Sequence, residues 1–233
     1  LVILLHYLFY YFYLLQDYFC QYLAIAQEHR EEFSYPCLPL GLFLVCCLEL
    51  ACNKWQLDTA TPAAAIANAP TDNLGLIVTE ERFIFALGAG GNPRKVQWCD
   101  REDNTAWTPL ATNEAGDLEL QTAGQIMTAV RTKGQTLILT DVDAHTARYQ
   151  GPPYVYGFER VGTACGIISR MAAADVDQGV FWMSQRGFFG FNGNSVAELP
   201  CAVHDYVFGV GGLNPAQQSK VWAWNNGQNS EIW

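Results

Sequence analysis

Two histidines stand beside aspartates, and this pairing is the first place where the chain could do chemistry. His145 follows Asp141-Val142-Asp143, and His204 precedes Asp205. A histidine that a carboxylate orients can act as a general base. However, no Ser or Cys occupies a Gly-x-Ser-x-Gly elbow, and the nearest candidate, Thr163-Ala164-Cys165-Gly166, is typical of a tight turn. We therefore predict no catalytic residue and no enzymatic activity.

Two other segments contain part of a ligand-binding motif. Gly88-Ala89-Gly90-Gly91 has the glycines of a phosphate loop, but Asn92-Pro93 follows where that loop needs Gly-Lys-Ser/Thr, so the segment predicts a hairpin connection. Asp100–Asn104 (DREDN) offers carboxylates for calcium, yet it lacks the alternating spacing and the glycine of a calcium loop. We predict no cofactor and no metal.

The segment Asp103-Asn104-Thr105-Ala106-Trp107 resembles the Asp-box of sialidase-like propellers. In that family Asp and Thr tie a hairpin and Trp packs between strands, away from the catalytic centre. The resemblance thus implies a structural role. A carbohydrate hydrolase would also need an arginine cluster and acid/base carboxylates, and we identify neither in the sequence.

A Pro-initiated aromatic stretch, Pro152–Phe158 (PPYVYGF), lies between repeating segments. Longer connections of this kind often carry contact surfaces. Tyr154, Tyr156 and Phe158 are therefore the candidate residues of a subunit interface. The tryptophans at 98, 107, 182, 222 and 224 fall inside strand-like runs, which predicts that they pack in the core.

Short runs of Val, Ile, Phe, Trp and Tyr alternate with Gly, Asn and Asp turns, which predicts an all-β fold. Helical periodicity is scarce, apart from one short turn at Asn214–Ser219. Strand–turn–strand units recur at the interval of a four-stranded propeller blade, which is ~40–50 residues. We therefore predict propeller-like meander repeats, with small residues on the inner strands, and keep a β-sandwich as the alternative because the WD dipeptide is absent. The small residues that mark the units are Ala86, Ala129, Ala173 and Ala223.

The first 53 residues differ in composition from residues 54–233, which we predict to be a propeller-like domain that breaks off within a strand. Leu1–Cys52 has no Asn, Thr or Lys, but it holds five of the eight cysteines and seven of the eleven tyrosines. Three origins stay open: a wrong-frame or erroneous sequence, which we favour, a membrane anchor, and a buried helical hairpin. Leu1–Ala26 is nearly long enough to span a membrane, although Asp17 interrupts it.

Residues 54–233 carry 12 basic and 18 acidic side chains, a net charge of −6. This balance disfavours binding to a phosphate backbone, so we expect no sequence-specific nucleic-acid partner. We expect a membrane partner only if residues 1–26 are a genuine span. Cys99, Cys165 and Cys201 form no CxxC pair and are odd in number, which predicts reduced thiols.

Three segments, Asn92–Pro109, Gly151–Gly166 and Val180–Pro200, carry a resemblance to a known family. They resemble virion proteins of tailed phages and prophages, and they are similar to the propeller-like tail and packaged-DNA stabilisation proteins of short-tailed phages. The resemblance runs from Trp55 to the end. It implies a structural role in a homo-oligomeric ring of the virion, assembled in the host cytoplasm, with other tail or connector subunits as partners.

The sequence therefore predicts a structural virion protein of a phage tail or head–tail connector, which acts by subunit assembly. The alternative is a carbohydrate-binding or carbohydrate-hydrolysing β-propeller. A membrane-tethered propeller is a third possibility, which requires a genuine N-terminal segment.

Overall fold

A computed structural model describes residues 39–40, 43–48, 51–55, 64–229 and 231–233. The predictions made for residues 1–38 lie outside the described residues. The described chain is all-β, as the sequence predicted, and its strands group into consecutive antiparallel sheets.

Each of four sheets contains four strands that pair in chain order, so each is an antiparallel meander. Sheet 1 consists of β1 (Pro39–Leu40), β2 (Phe43–Leu48), β3 (Ala51–Trp55) and β4 (Ala64–Ala65). Sheet 2 consists of β5 (Gly75–Val78), β6 (Ile84–Leu87), β7 (Lys95–Trp98) and β8 (Gly116–Glu119). Sheet 3 consists of β9 (Ile126–Thr132), β10 (Gln135–Thr140), β11 (Ala144–Gly151) and β12 (Val155–Gly162). Sheet 4 consists of β13 (Ala173–Val176), β14 (Gly179–Met183), β15 (Phe188–Phe191) and β16 (Val196–Leu199).

A short helical region and a hairpin follow sheet 4. The helix α1 (His204–Phe208) precedes the 3₁₀ helix η2 (Pro215–Lys220), which confirms the short helical turn predicted near this place. The hairpin pairs β17 (Asn225–Asn226) with β18 (Glu231–Ile232). A first 3₁₀ turn, η1 (Ala89–Gly91), joins β6 to β7 and confirms that the glycine-rich segment is a hairpin connection.

The first strands of neighbouring sheets lie side by side. β5 contacts β9, β9 contacts β13, and β13 contacts β17. These strands begin at residues 75, 126, 173 and 225, so the structural unit is about 50 residues long. The described residues show repeated meanders but no closed ring, so a complete propeller stays a prediction.

The alanines that marked the repeat in the sequence do not all occupy equivalent places. Ala129 and Ala173 lie on the first strands of their sheets, and Ala223 lies just before β17. Ala86 lies on β6, the second strand of sheet 2, where the first strand is β5. The predicted repeat was therefore out of phase in this unit, because β5 begins with glycine and has no alanine to mark it.

The core fills the spaces between neighbouring sheets. Between sheets 2 and 3 an aromatic cluster packs Phe83, Phe85 and Trp98 against Tyr156. Between sheets 3 and 4, Leu137 and other aliphatic residues pack around Trp182 and Phe191. Strand β10 is buried along its whole length (QTLILT) because sheets cover both of its faces.

The composition change near residue 53 falls inside a strand. Asn53 lies in β3, which pairs with β2 on one side and with β4 on the other. The described part of the apolar N-terminal segment is therefore strand, so the buried helical hairpin, one of the three origins left open, does not describe residues 39–40 and 43–48. Among the described residues, no helix has the length and hydrophobicity needed to cross a membrane.

Candidate functional site

Exposed aromatic side chains cluster around the hairpin β17–β18. Trp222, Trp224 and Trp233 are 62%, 42% and 61% exposed, and Met171 beside them is 54% exposed. Large apolar side chains exposed singly are common, whereas a group of them exposed together marks an interaction surface. We call these four residues the aromatic face.

Backbone pairing holds the aromatic face together. Met171 and Trp222 form a parallel bridge, and the amide of Ala223 donates to the carbonyl of Met171 at 2.7 Å. Trp224 and Trp233 exchange two backbone hydrogen bonds, and their rings meet edge to face with centroids 5.8 Å apart. Because Trp222 and Trp224 are two residues apart in an extended segment, they project to the same side. The arrangement corrects the sequence prediction, which placed both tryptophans in the core.

The predicted interface residues of the Pro152–Phe158 stretch separate into two environments. Tyr154 is 78% exposed, as a contact residue should be, whereas Tyr156 is only 6% exposed. The ring of Tyr156 packs against Phe85 at 4.7 Å, and Phe158 lies partly buried on the same cluster. The prediction of a subunit contact was therefore wrong for Tyr156, because alternation along β12 turns its ring into the core. For Tyr154 and for the partly buried Phe158 it stays a prediction.

The hydroxyl of Tyr156 makes polar contacts inside the protein. It lies 2.9 Å from the hydroxyl of Thr79 and donates to the carboxylate of Glu81 at 3.1 Å. Burial raises the pKa of this phenol, and the charge of Glu81 raises it further. The side chain therefore joins β12 to the β5–β6 connection as a neutral hydrogen-bonding group.

The Asp143–His145 pair lies inside sheet 3. Nε2 of His145 is 3.1 Å from Oδ1 of Asp143, and both side chains are 5% exposed. The two atoms are within ion-pair distance, but Nε2 makes no aligned hydrogen bond with any described residue. Oδ1 accepts hydrogen bonds from the hydroxyls of Thr122 at 2.9 Å and Thr140 at 2.6 Å. The carboxylate thus fixes the β10–β11 turn, and the burial of the pair supports a structural role.

His204, the second histidine beside an aspartate, lies on α1, whereas His145 lies on β11. The side chain of His204 is 45% exposed, and its Nε2 lies 2.8 Å from the carbonyl oxygen of Arg186. That carbonyl, together with the Asp205 carboxylate 3.3 Å from Nδ1, raises the pKa of the imidazole. The contacts of His204 attach α1 to the β14–β15 connection.

The segment Thr163–Gly166 forms the tight turn that the sequence predicted. Ala164 adopts a left-handed conformation with φ of 55°, and the amides of Cys165 and Gly166 both donate to the carbonyl of Val142. Cys165 is buried, and burial with the nearby charge of Asp143 raises its pKa to about 11. A thiol with such a high pKa is a poor nucleophile at neutral pH. Cys99, Cys165 and Cys201 are free thiols in the described part of the chain.

The acidic residues of Asp100–Asn104 are engaged in hairpin contacts. Oδ1 of Asp100 accepts from the amides of Arg101 and Glu114, both at 2.9 Å. Glu102 forms an ion pair with Arg82 at 2.7 Å. Across the described residues, no group of three or more His, Cys, Asp or Glu side chains could hold a metal ion.

The Asp-box-like segment has the hydrogen bonds that its resemblance implied. Oδ1 of Asp103 accepts from the amide of Thr105 at 2.9 Å and from its hydroxyl at 2.7 Å. Trp107 is 1% exposed, and its Nε1 donates to the carbonyl of Asn104 at 2.7 Å. The segment is therefore a packed turn that anchors a tryptophan in the core.

We expect the Asp103 turn to add a pH-dependent contribution to stability. The hydrogen bonds from Thr105 lower the pKa of Asp103, so the folded state binds this proton less readily than the unfolded chain does. The contribution is present above the unfolded pKa of 3.8 and is lost as the pH falls through the lower folded value. Urea denaturation at neutral pH should show Asp103→Asn to be less stable than the wild type. The difference should shrink in strong acid, and an equal difference at both pH values would contradict the assignment.

Comparison with known proteins identifies fold relatives only. No protein-family model matches the chain, and no curated protein matches it. One similar solved structure is the extracellular domain of a hybrid two-component system from B. thetaiotaomicron, with a TM-score of 0.54 and 10% identity, covering 87% of this chain. A second structure from that organism, described as the extracellular domain of a one-component system, has a TM-score of 0.53 and 10% identity over the same share. The chain spans about a quarter (26%) of each of those chains. At this identity the likeness establishes the all-β fold alone.

Proposed function

We propose that this chain is a structural subunit that acts by protein–protein assembly, with a second copy of the chain as the partner of its aromatic face. The single observation that carries the proposal is the exposure of three tryptophans and a methionine around the β17–β18 hairpin, where backbone pairing brings them together. Aromatic residues and methionine are enriched in the centres of protein interfaces, and buried tryptophans contribute much of the binding energy there.

The edge of the hairpin adds a second means of contact. Within the part of the chain that the structure describes, β18 pairs only with β17, so its outer backbone groups face away from the sheet. An unpaired edge of this kind can accept a strand from another subunit. Backbone pairing would fix the register of the contact, and the tryptophans would supply apolar contact area.

The resemblance to virion proteins of tailed phages supplies a biological setting for the proposal. In that setting the chain is part of a tail or head–tail connector, and repeated copies form a ring in the virion. The packing of the Asp143–His145 pair and the raised pKa of Cys165 support a non-catalytic role.

Self-association tests the proposal. Sedimentation equilibrium of the wild type should show concentration-dependent association. The double variant Trp222→Ser, Trp224→Ser should raise the dissociation constant by more than about tenfold, which corresponds to a combined loss of about 1.4 kcal/mol of binding free energy. Tyr206→Ser is the matched control, because Tyr206 is 85% exposed on α1 and should leave association unchanged. A monomeric wild type, or a double variant that associates equally well, would refute the proposal.

A further inference from the structure

A cleft of about 530 Å³ opens where hairpin tips of neighbouring sheets meet. The β9–β10 hairpin, the β13–β14 hairpin and the β15–β16 turn contribute its walls, and Glu80 of the β5–β6 connection borders it. Its volume is in the range of small-ligand pockets. None of the aromatic-face residues lines this cleft, so it is a separate site.

Hydrogen bonds between different sheets hold the tips in place. The carboxylate of Glu80 accepts from the amide of Gly134 at 2.7 Å, which ties sheet 2 to sheet 3. Nε2 of Gln135 donates to the carbonyl of Gly193 at 2.6 Å, which ties sheet 3 to sheet 4. Nδ2 of Asn225 donates to the carbonyl of Asp175 at 2.8 Å, which ties sheet 4 to the β17–β18 hairpin. The cleft is therefore a preorganised feature of the fold.

The walls of the cleft carry opposite charges that do not pair with each other. Arg131 and Lys133 line one wall, and Asp175 and Asp177 line the other. Among the described residues, none of these four side chains forms an ion pair within 4.0 Å. Burial raises the pKa of Asp175 while the charge of Arg131 opposes that rise, so the two walls lie within electrostatic reach of each other. The charged groups remain available to a ligand.

The lining restricts the chemistry of that ligand. The carboxylates of Asp175, Asp177 and Glu80 repel a polyphosphate, and among the described residues no aromatic side chain lines the cleft to stack on a sugar. The amide of Gln178 makes no side-chain hydrogen bond in the described part of the chain and can pair with a peptide group. Neighbouring side chains of an extended peptide point to opposite sides, which matches two walls of opposite charge.

We propose that the cleft binds a short polypeptide segment with adjacent acidic and basic residues, its carboxylate against Arg131 and Lys133 and its cation against Asp175 and Asp177. The cleft should therefore bind a ligand that carries both charges more tightly than a ligand that carries only one, because the singly charged ligand leaves the charges of one wall unpaired. Binding weakens as salt screens the exposed charges.

Isothermal titration with acetyl-Glu-Lys-amide tests the proposal. The wild type should bind this probe at least about tenfold more tightly than acetyl-Gln-Gln-amide, because the neutral probe lacks both charge contacts. The wild type should bind acetyl-Glu-Lys-amide more tightly than acetyl-Gln-Lys-amide, and Arg131→Gln should reduce this difference in affinity. The wild type should also bind acetyl-Glu-Lys-amide more tightly than acetyl-Glu-Gln-amide, and Asp177→Asn should reduce that difference. Each variant thus reports on one wall.

Lys220→Gln is the matched control, because it removes a cation of η2 outside the cleft lining and should leave binding unchanged. Sedimentation of the cleft variants should equal that of the wild type, so this test fails or succeeds independently of the aromatic face. Equal binding of the charged and neutral probes, or no binding of the charged probe at millimolar concentration, would overturn the proposal. An equal loss of binding in Lys220→Gln would also overturn it.

Discussion

Replacing Gly166 by alanine should destabilise the protein by about 3 kcal/mol or more, because the added methyl group has no space. A Cβ at this position would overlap the backbone carbonyl of Asp141 and the backbone nitrogen of Val142. Backbone atoms cannot rotate away as the end of a flexible side chain can. The amide of Gly166 also donates to the carbonyl of Val142 at 3.1 Å, so the two segments cannot separate without losing this bond. Urea denaturation followed by tryptophan fluorescence measures the loss.

Gly227 is the matched control for this substitution. A Cβ at Gly227 meets no atom within 4 Å, and its φ lies outside the left-handed region. We therefore expect Gly227→Ala to change the free energy of unfolding by no more than about 0.5 kcal/mol. If both alanine variants are equally stable, the close approach of the Thr163–Gly166 turn to Val142 does not exist in solution.

Replacing Phe85 by alanine should cost about 3–5 kcal/mol, because it removes the centre of the aromatic cluster between sheets 2 and 3. Phe85 is fully buried, and its ring contacts those of Tyr156 at 4.7 Å and Trp98 at 5.9 Å. The surrounding rings are held by their own strands and cannot close the space completely. The cost therefore includes the lost apolar contact and the cavity that remains. The same urea denaturation measures it.

Tyr154→Ala provides the matched aromatic truncation at the surface. Because Tyr154 is 78% exposed, its loss should change the free energy of unfolding by no more than about 0.5 kcal/mol. Phe85→Leu should be intermediate, because leucine fills part of the space. A loss at Phe85 no larger than that at Tyr154 would contradict the placement of the cluster in the core.

Strand positions were predictable where the sequence alternates between turn residues and apolar runs. Strands β7 (KVQW) and β15 (FFGF) are examples, because each is a short run with β-branched or aromatic residues and is bounded by turn residues. Strand β8 (GDLE) went unpredicted because its residues are largely polar and exposed, as an outer strand allows. The helix α1 went unpredicted because five residues without a side-chain cap give no helical pattern.

Burial was less predictable than strand position. The sequence assigned Trp222 and Trp224 to the core and Tyr156 to the surface, and the structure reverses all three placements. Alternation along a strand tells which side chains share a face, but it does not tell which face another sheet will cover. The covering sheet comes from residues about 50 positions away in the chain.

The sequence by itself determined the all-β class, the turns and the approximate length of the repeating unit, because these follow from local backbone preferences and side-chain alternation. The tertiary structure decided which strands form a sheet, which aromatic side chains stay exposed, and which charges meet in the cleft. Arg131 and Asp175 are 44 residues apart in the chain, yet they line the same cleft. Only the side-by-side packing of sheets 3 and 4 brings their hairpin tips together, and no local pattern encodes that contact.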